Sequence, residues 1–206
     1  MRTDHVQNLF QNKYRIPSAR LQNWNYANPG MYFVTICTQN RENYFGEIVE
    51  SVETRSLAES QLPAVETRCI ASLQPTEIGK IVESEWIKTI ELRPDMNIEL
   101  GEFIVMPNHF HGIIIIGKNE FNGAGKDAMH RVSTENQFGS QSKNLASILR
   151  GYKSAVTTYA RKNNIPFVWQ PRFHDHIIRS DDAFNRISNY IVNNPANWKK
   201  DKFYTK

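Results

Sequence analysis

The sequence predicts an α+β fold, an antiparallel sheet with helices packed on one face and an extra helix at the C-terminal end. Three observations carry that expectation. Four segments are rich in β-branched and aromatic residues, three show apolar residues at helical spacing, and they alternate as β, α, β, β, α, β, α along 206 residues. That length suits one domain with insertions, and 40% hydrophobic with 11% aromatic residues is enough to build a core, so wholesale disorder is excluded.

Met31 to Thr38 follows Asn28-Pro-Gly30 and reads as a strand leaving a turn. From about 47 to 75 the patterning fails. Val52-Glu-Thr-Arg55-Ser-Leu-Ala is echoed by Val65-Glu-Thr-Arg68-Cys-Ile-Ala, and two copies are too few for a solenoid, so the stretch reads as a duplicated surface insertion. Thr76 caps a predicted helix that carries Ile78, Ile81, Val82, Trp86 and Ile90 and ends before Pro94. Ile98 to Met106 and His109 to Gly117 form a hairpin about Pro107-Asn108, the second strand apolar on both faces as a central strand would be. Residues 118–142, rich in Gly, Ser, Asn and Gln, read as a mobile loop. Leu145, Ile148, Leu149, Tyr152, Val156 and Tyr159 lie on one helical stripe, stopped by Asn163-Asn164 and Pro166. Arg172 to Ile178 reads as extended. Ser180-Asp181-Asp182 then opens a last helix bearing Phe184, Ile187 and Ile191, which Pro195 ends by disfavouring helical geometry at Asn194. The order is the ferredoxin-like alternation plus one helix.

The polar N-terminus lacks a signal-peptide pattern, and the longest apolar run is Ile113 to Ile116, too short to span a bilayer. Cys37 and Cys69 match neither a disulfide framework nor a paired metal motif. The expectation is a cytoplasmic protein. The net charge of +4 is unevenly placed: residues 143–206 hold 12 Lys and Arg against four Asp and Glu, net +8, which leaves −4 for the rest. Trp169, Phe173, Trp198 and Tyr204 are interleaved with those charges, a combination that suits single-stranded nucleic acid, although each ring alone also fits a core.

Strand alternation puts His109 and His111 on one face about 7 Å apart along the chain, so they can grip one metal ion or sit as hydrogen-bonded core histidines. His174 and His176 repeat the pattern around Asp175, as a rival metal site or a polar strand edge. Tyr190 and Asn194, four residues apart, share one face of the last helix. They can act together, or serve as a core-edge phenol and a helix-terminal amide.

Three segments resemble a family: Val105-Met-Pro-Asn-His-Phe-His-Gly112, Trp169-Gln-Pro-Arg-Phe-His-Asp-His-Ile-Ile-Arg179 and Asn189-Tyr-Ile-Val-Asn-Asn-Pro195. They are similar to the single-tyrosine HUH transposases of small, IS200-like insertion sequences, and especially to the REP-associated tyrosine transposases. The resemblance runs from about Gly30 to Trp198, interrupted at 47–75 and 118–142. It implies metal-dependent cleavage of single-stranded DNA near hairpins and strand transfer through a 5′-phosphotyrosine intermediate. Tyr190 would be the nucleophile, His109 and His111 the histidine pair, and Asn194 a further ligand to Mg²⁺ or Mn²⁺. Lys153, Trp169, Arg172, His174, His176 and Arg179 would support DNA, and the bacterial chain would be nucleoid-associated, as a monomer or a homodimer. The repeat insertion and His174 depart from the common pattern. Rival readings are a binding protein of repeated palindromic DNA without significant catalysis, and an unrelated metal-dependent hydrolase using both histidine pairs.

Overall fold

A computed structural model describes residues 24–57, 64–122 and 142–205, without the side chains of 52–69. Its four-stranded sheet consists of β1 (Gly30–Cys37), β4 (Ile98–Met106), β5 (His109–Ile116) and β6 (His174–Ile178), in the order β4-β5-β1-β6 with every neighbour antiparallel. With α1 (Glu77–Ile87) and α2 (Leu145–Lys162) as the crossovers, this is the ferredoxin-like arrangement.

Both helices form where cap and stripe coincide. The Thr76 hydroxyl accepts from Gly79 N–H at the start of α1, and Asn144 and Ser147 close a reciprocal capping box at the start of α2. Each lays its apolar stripe on the sheet face that carries Tyr32, Val34, Ile36, Phe110 and Ile114; in the middle Trp86 and Tyr152 pack edge to face, and both rings pack tilted against Phe110. α1 ends at Ile87, earlier than the stripe predicts. Ile90 lies in the following turn and is 41% exposed.

α3 (Asp181–Val192), capped by the Ser180 hydroxyl, covers the opposite face of the sheet. Its Ile191, Ile187 and Phe184 pack on Ile113, Phe33 and Ile178. The sheet is therefore covered on both faces, α1 and α2 on one and the extra helix on the other. The backbone also passes Asn194 differently from the expectation: Asn194 keeps right-handed helical angles (φ −60°, ψ −42°), and Pro195–Lys200 continues as a 3-10 helix. Pro195 accordingly redirects the chain without stopping it, and the segment after it turns back onto the sheet.

The stretch 47–75, whose patterning fails in the sequence, is regular in the structure. Residues Gly46–Leu57 (β2) and Ala64–Pro75 (β3) form a regular two-stranded antiparallel ribbon. The two repeat copies pair with each other about Thr54 and Thr67, so that Glu53 is in register with Arg68 and Arg55 with Glu66. At its base Ile48 packs beside Met106, Trp198 and Phe203. Of the proposed mobile loop, residues 123–141 lie outside the described residues, as do the N-terminal residues 1–23.

Candidate metal centre and cleft

The face of the sheet under α3 carries one cross-strand row, His111 on β5, Thr35 on β1 and His174 on β6, with Cys37 and His109 paired in the row beside it. Strand alternation alone puts both histidines on this face, and register sets them beside Thr35. His109 and His111 are buried, their ring centroids 4.5 Å apart.

The tautomer of His109 follows from its neighbour. Asn108 Nδ2 donates to the carbonyls of Arg41 (3.1 Å) and Phe203 (2.9 Å), so its Oδ1 is the atom 2.9 Å from His109 Nδ1, and that nitrogen carries the proton. His109 Nε2 is consequently a bare lone pair, and it is buried without a hydrogen-bond partner. His111 Nδ1 lies 2.8 Å from the Thr35 hydroxyl and its Nε2 lies 3.2 Å from the Tyr190 hydroxyl. With Nδ1–H donating to Thr35, the Nε2 of His111 also offers a lone pair to the cleft. Burial pushes the His109 imidazolium down to about 3, with Arg41 and Lys202 adding to the effect. Burial, then the neighbouring His109, drives His111 the same way. Both rings are neutral at pH 7.

The third member comes from beyond α3. Asp201, delivered by the 3-10 segment, has a carboxylate oxygen within 4.8 Å of ligand nitrogens of both histidines. Its Oδ2 accepts from Asn194 Nδ2 (3.3 Å) and from the Tyr190 hydroxyl (3.4 Å), and its Oδ1 accepts from Phe203 N–H (2.6 Å). Asn194 Oδ1, buried, has no hydrogen-bond partner among the described residues. Two imidazoles and a carboxylate therefore converge, and among the described residues His109 Nε2 and the Oδ1 of the neighbouring Asn194 are left unsatisfied. Buried acceptors left this way are costly unless something positive completes them, and mixed nitrogen and oxygen donors suit a divalent cation.

Tyr190 is 42% exposed and stands edge-on to Phe33 above this cluster. Partial burial and the charge of Asp201 raise its phenol above the ordinary value, so it is protonated at neutral pH. It opens onto a cleft of about 480 Å³ shared with Thr35, His174, Asn194, Lys200 and Lys202.

The other sequence candidates divide. His174 lines the cleft; His176 lies on the same sheet face one row further, opposite Phe33, and Arg179 is exposed beyond it. Arg172 is exposed in the turn before β6, which starts two residues later than expected. Lys153 donates from Nζ to the carbonyls of Gln170 (2.8 Å) and Arg172 (2.9 Å), and partial burial lowers its ammonium to about 8. Trp169 is only 7% exposed, its ring among Phe45, Phe167 and Tyr152 and its N–H on Lys153 O. The expectation that it stacks on DNA is corrected by that burial, which leaves the ring little surface for a base. Asp201 was not foreseen. Its only signal is an acid placed alone among Lys199, Lys200 and Lys202.

Fold and site define a ferredoxin-like α+β protein with a histidine–carboxylate cluster under a tyrosine-bearing helix. No family model matches the chain. An uncharacterized protein of Haemophilus influenzae is 34% identical over 188 residues, which cover 91% of this chain and 92% of that protein, and the chain belongs to its family. Among solved structures, a REP-associated tyrosine transposase bound to a REP hairpin aligns over 88% of this chain and 73% of its own, with 18% identity and a TM-score of 0.49. No helix among the described residues is long and apolar enough to cross a membrane.

Proposed function

We propose that this protein is a metal-dependent DNA-cleaving and strand-transfer enzyme acting on single-stranded or hairpin DNA, with Tyr190 as nucleophile, in a single domain that carries the β2–β3 ribbon as an arm. The observation that carries the reading is the Tyr190 hydroxyl 3.2 Å from His111 Nε2, in a cleft that His111, Asn194 and Asp201 also line, with the His109 ring packed beside that of His111. His109, His111, Asp201 and Asn194 Oδ1 would hold Mg²⁺ or Mn²⁺, which supplies Lewis-acid polarisation of the scissile phosphate and offsets the charge of the phenolate.

The chain's own groups do the rest. Asn108 and Thr35 fix the two imidazole rings by their Nδ1 atoms. Phe33 and Ile191 hold the tyrosine helix over them. Lys200 and Lys202 on the cleft rim attract the phosphodiester backbone. Tyr190 gives its proton to cleft water as its oxygen bonds to phosphorus, the P–O3′ bond breaks, and the 3′-oxygen takes up a proton. One phosphate diester replaces another, so a 3′-hydroxyl can reverse the step without ATP.

The test is a denaturant-resistant protein–DNA adduct after incubation with hairpin-bearing single strands and Mn²⁺ or Mg²⁺. Wild type should form it, and Tyr190→Phe should lose it while still binding DNA. DNA binding with no adduct on any hairpin would indicate a non-catalytic binding protein of palindromic repeats. Cleavage that survives Tyr190→Phe would point to a metal-dependent hydrolase.

A further inference from the structure

A second hollow of about 400 Å³ adjoins the cleft and shares Thr35, His174 and Lys202 with it, but it is not lined by Tyr190, His111 or Asn194. Its cations are Arg41, Arg172 and Lys202, beside Gln170 and Phe173, and no Asp or Glu lines it. That volume is within the range of small-molecule sites, and the lining combines fixed positive charge, an amide and an aromatic ring.

The hollow is built from two loops that are pinned together. Gln39 N–H donates to Val168 O and Gln170 N–H to Cys37 O, each at 2.9 Å, and Lys153 Nζ holds the carbonyls of Gln170 and Arg172. Arg41 and Arg172 each occupy the left-handed region (φ 57° and 69°), which L-residues with long side chains adopt rarely, and such strain concentrates at functional sites. Arg41 also donates from Nη1 to Lys202 O at 2.6 Å, which ties the first loop to the C-terminal segment. The cations are thus positioned by backbone already fixed before any ligand arrives.

Its direction from the tyrosine is informative. The Tyr190 hydroxyl lies against His111 on β5, and the hollow opens beside its cleft, across the shared Thr35 on β1 and His174 on β6. In phosphoryl transfer the attacking and leaving oxygens are roughly in line on opposite sides of phosphorus. On the reading of Tyr190 as nucleophile, we propose that this hollow seats the nucleotide on the 5′ side of the scissile phosphate, the strand end that departs as a 3′-hydroxyl. Arg41, Arg172 and Lys202 would hold its phosphate, and retention there would keep the 3′-hydroxyl near the phosphotyrosine for rejoining.

The experiment uses the full chain with Arg41→Gln and Arg172→Gln together, on two substrates. One is a single strand on which wild type forms its adduct; the other is its downstream half, with p-nitrophenol esterified to the 5′-phosphate in place of the upstream nucleotides. The double variant should form adduct at least about tenfold more slowly on the complete strand, yet release p-nitrophenolate from the truncated one at the wild-type rate. With Tyr190→Phe added to both, the salt slope of single-strand binding should fall by up to about 0.7, the value of one phosphate contact. Equal losses on both substrates would assign the hollow to the downstream strand, and an unchanged salt slope would remove phosphate binding; either overturns the proposal. No adduct from wild type would instead refute the nucleophile reading on which it rests.

Discussion

Acidification from pH 7.5 to 5 should destabilise the cation-free protein through its buried histidine pair. His109 is held near 3 in the folded chain and returns to about 6.5 when unfolded. Its folded value is depressed, so the unfolded state binds more protons between these values; stability is fully present above about 6.5 and is lost as pH falls towards 3. At pH 5 the unfolded imidazole lies about 1.5 units below its own pKa, which at 1.36 kcal/mol per unit gives ~2 kcal/mol for His109 alone. His111 is displaced in the same direction and adds to the loss. Urea denaturation in chelator at the two pH values measures the difference, and a His109→Gln variant should lose about 2 kcal/mol of the pH dependence. A midpoint that does not move with pH, or a variant whose stability falls as steeply as wild type, would refute the reasoning.

In thermal denaturation, Mn²⁺ at about 100 times its Kd should stabilise wild type by ~2.7 kcal/mol and leave His111→Ala nearly unmoved. Asn108→Ala removes the two N–H donors of Nδ2, shared among Arg41 O, Phe203 O and Thr205 Oγ1, and the acceptor that orients His109, and should cost about 2–4 kcal/mol by urea titration while also weakening the Mn²⁺ response. Gly112→Ala would bring a Cβ to 2.9 Å from the rings of Phe110 and Trp86, so a loss of about 1–3 kcal/mol is expected from its melting temperature.

The elements that position the site were legible wherever local signals agreed. Thr76 and Ser180 cap where they should, the hairpin turns at Pro107-Asn108, and alternation places His109 and His111 on one face. The β2–β3 ribbon escaped because it pairs mainly with itself. Its described Val49 and Ile70 are exposed, so burial of one face imposes no apolar alternation at those positions. Asp201 escaped for a different reason. It reaches the histidines only because the chain keeps turning past Pro195, and proline before a basic tail reads as a simple stop. Trp169 shows the reverse error: aromatic and basic residues alternating in sequence look like a nucleic-acid surface, although the ring had a core to enter.

The histidine–carboxylate cluster and the tyrosine above it draw on segments that are distant along the chain. Thr35 and His111 are separated by 76 residues, His111 and Tyr190 by 79, and Asn108 meets Phe203 across 95. Contacts of such high order form late, after large loop-closure entropies have been met. No isolated hairpin or helix of this protein contains more than a fragment of the centre, so a partly folded chain carries the tyrosine without its partners. Cation affinity is thereby a reporter of complete folding: in a refolding experiment it would emerge with the last cooperative phase, after helix and hairpin signals have already returned.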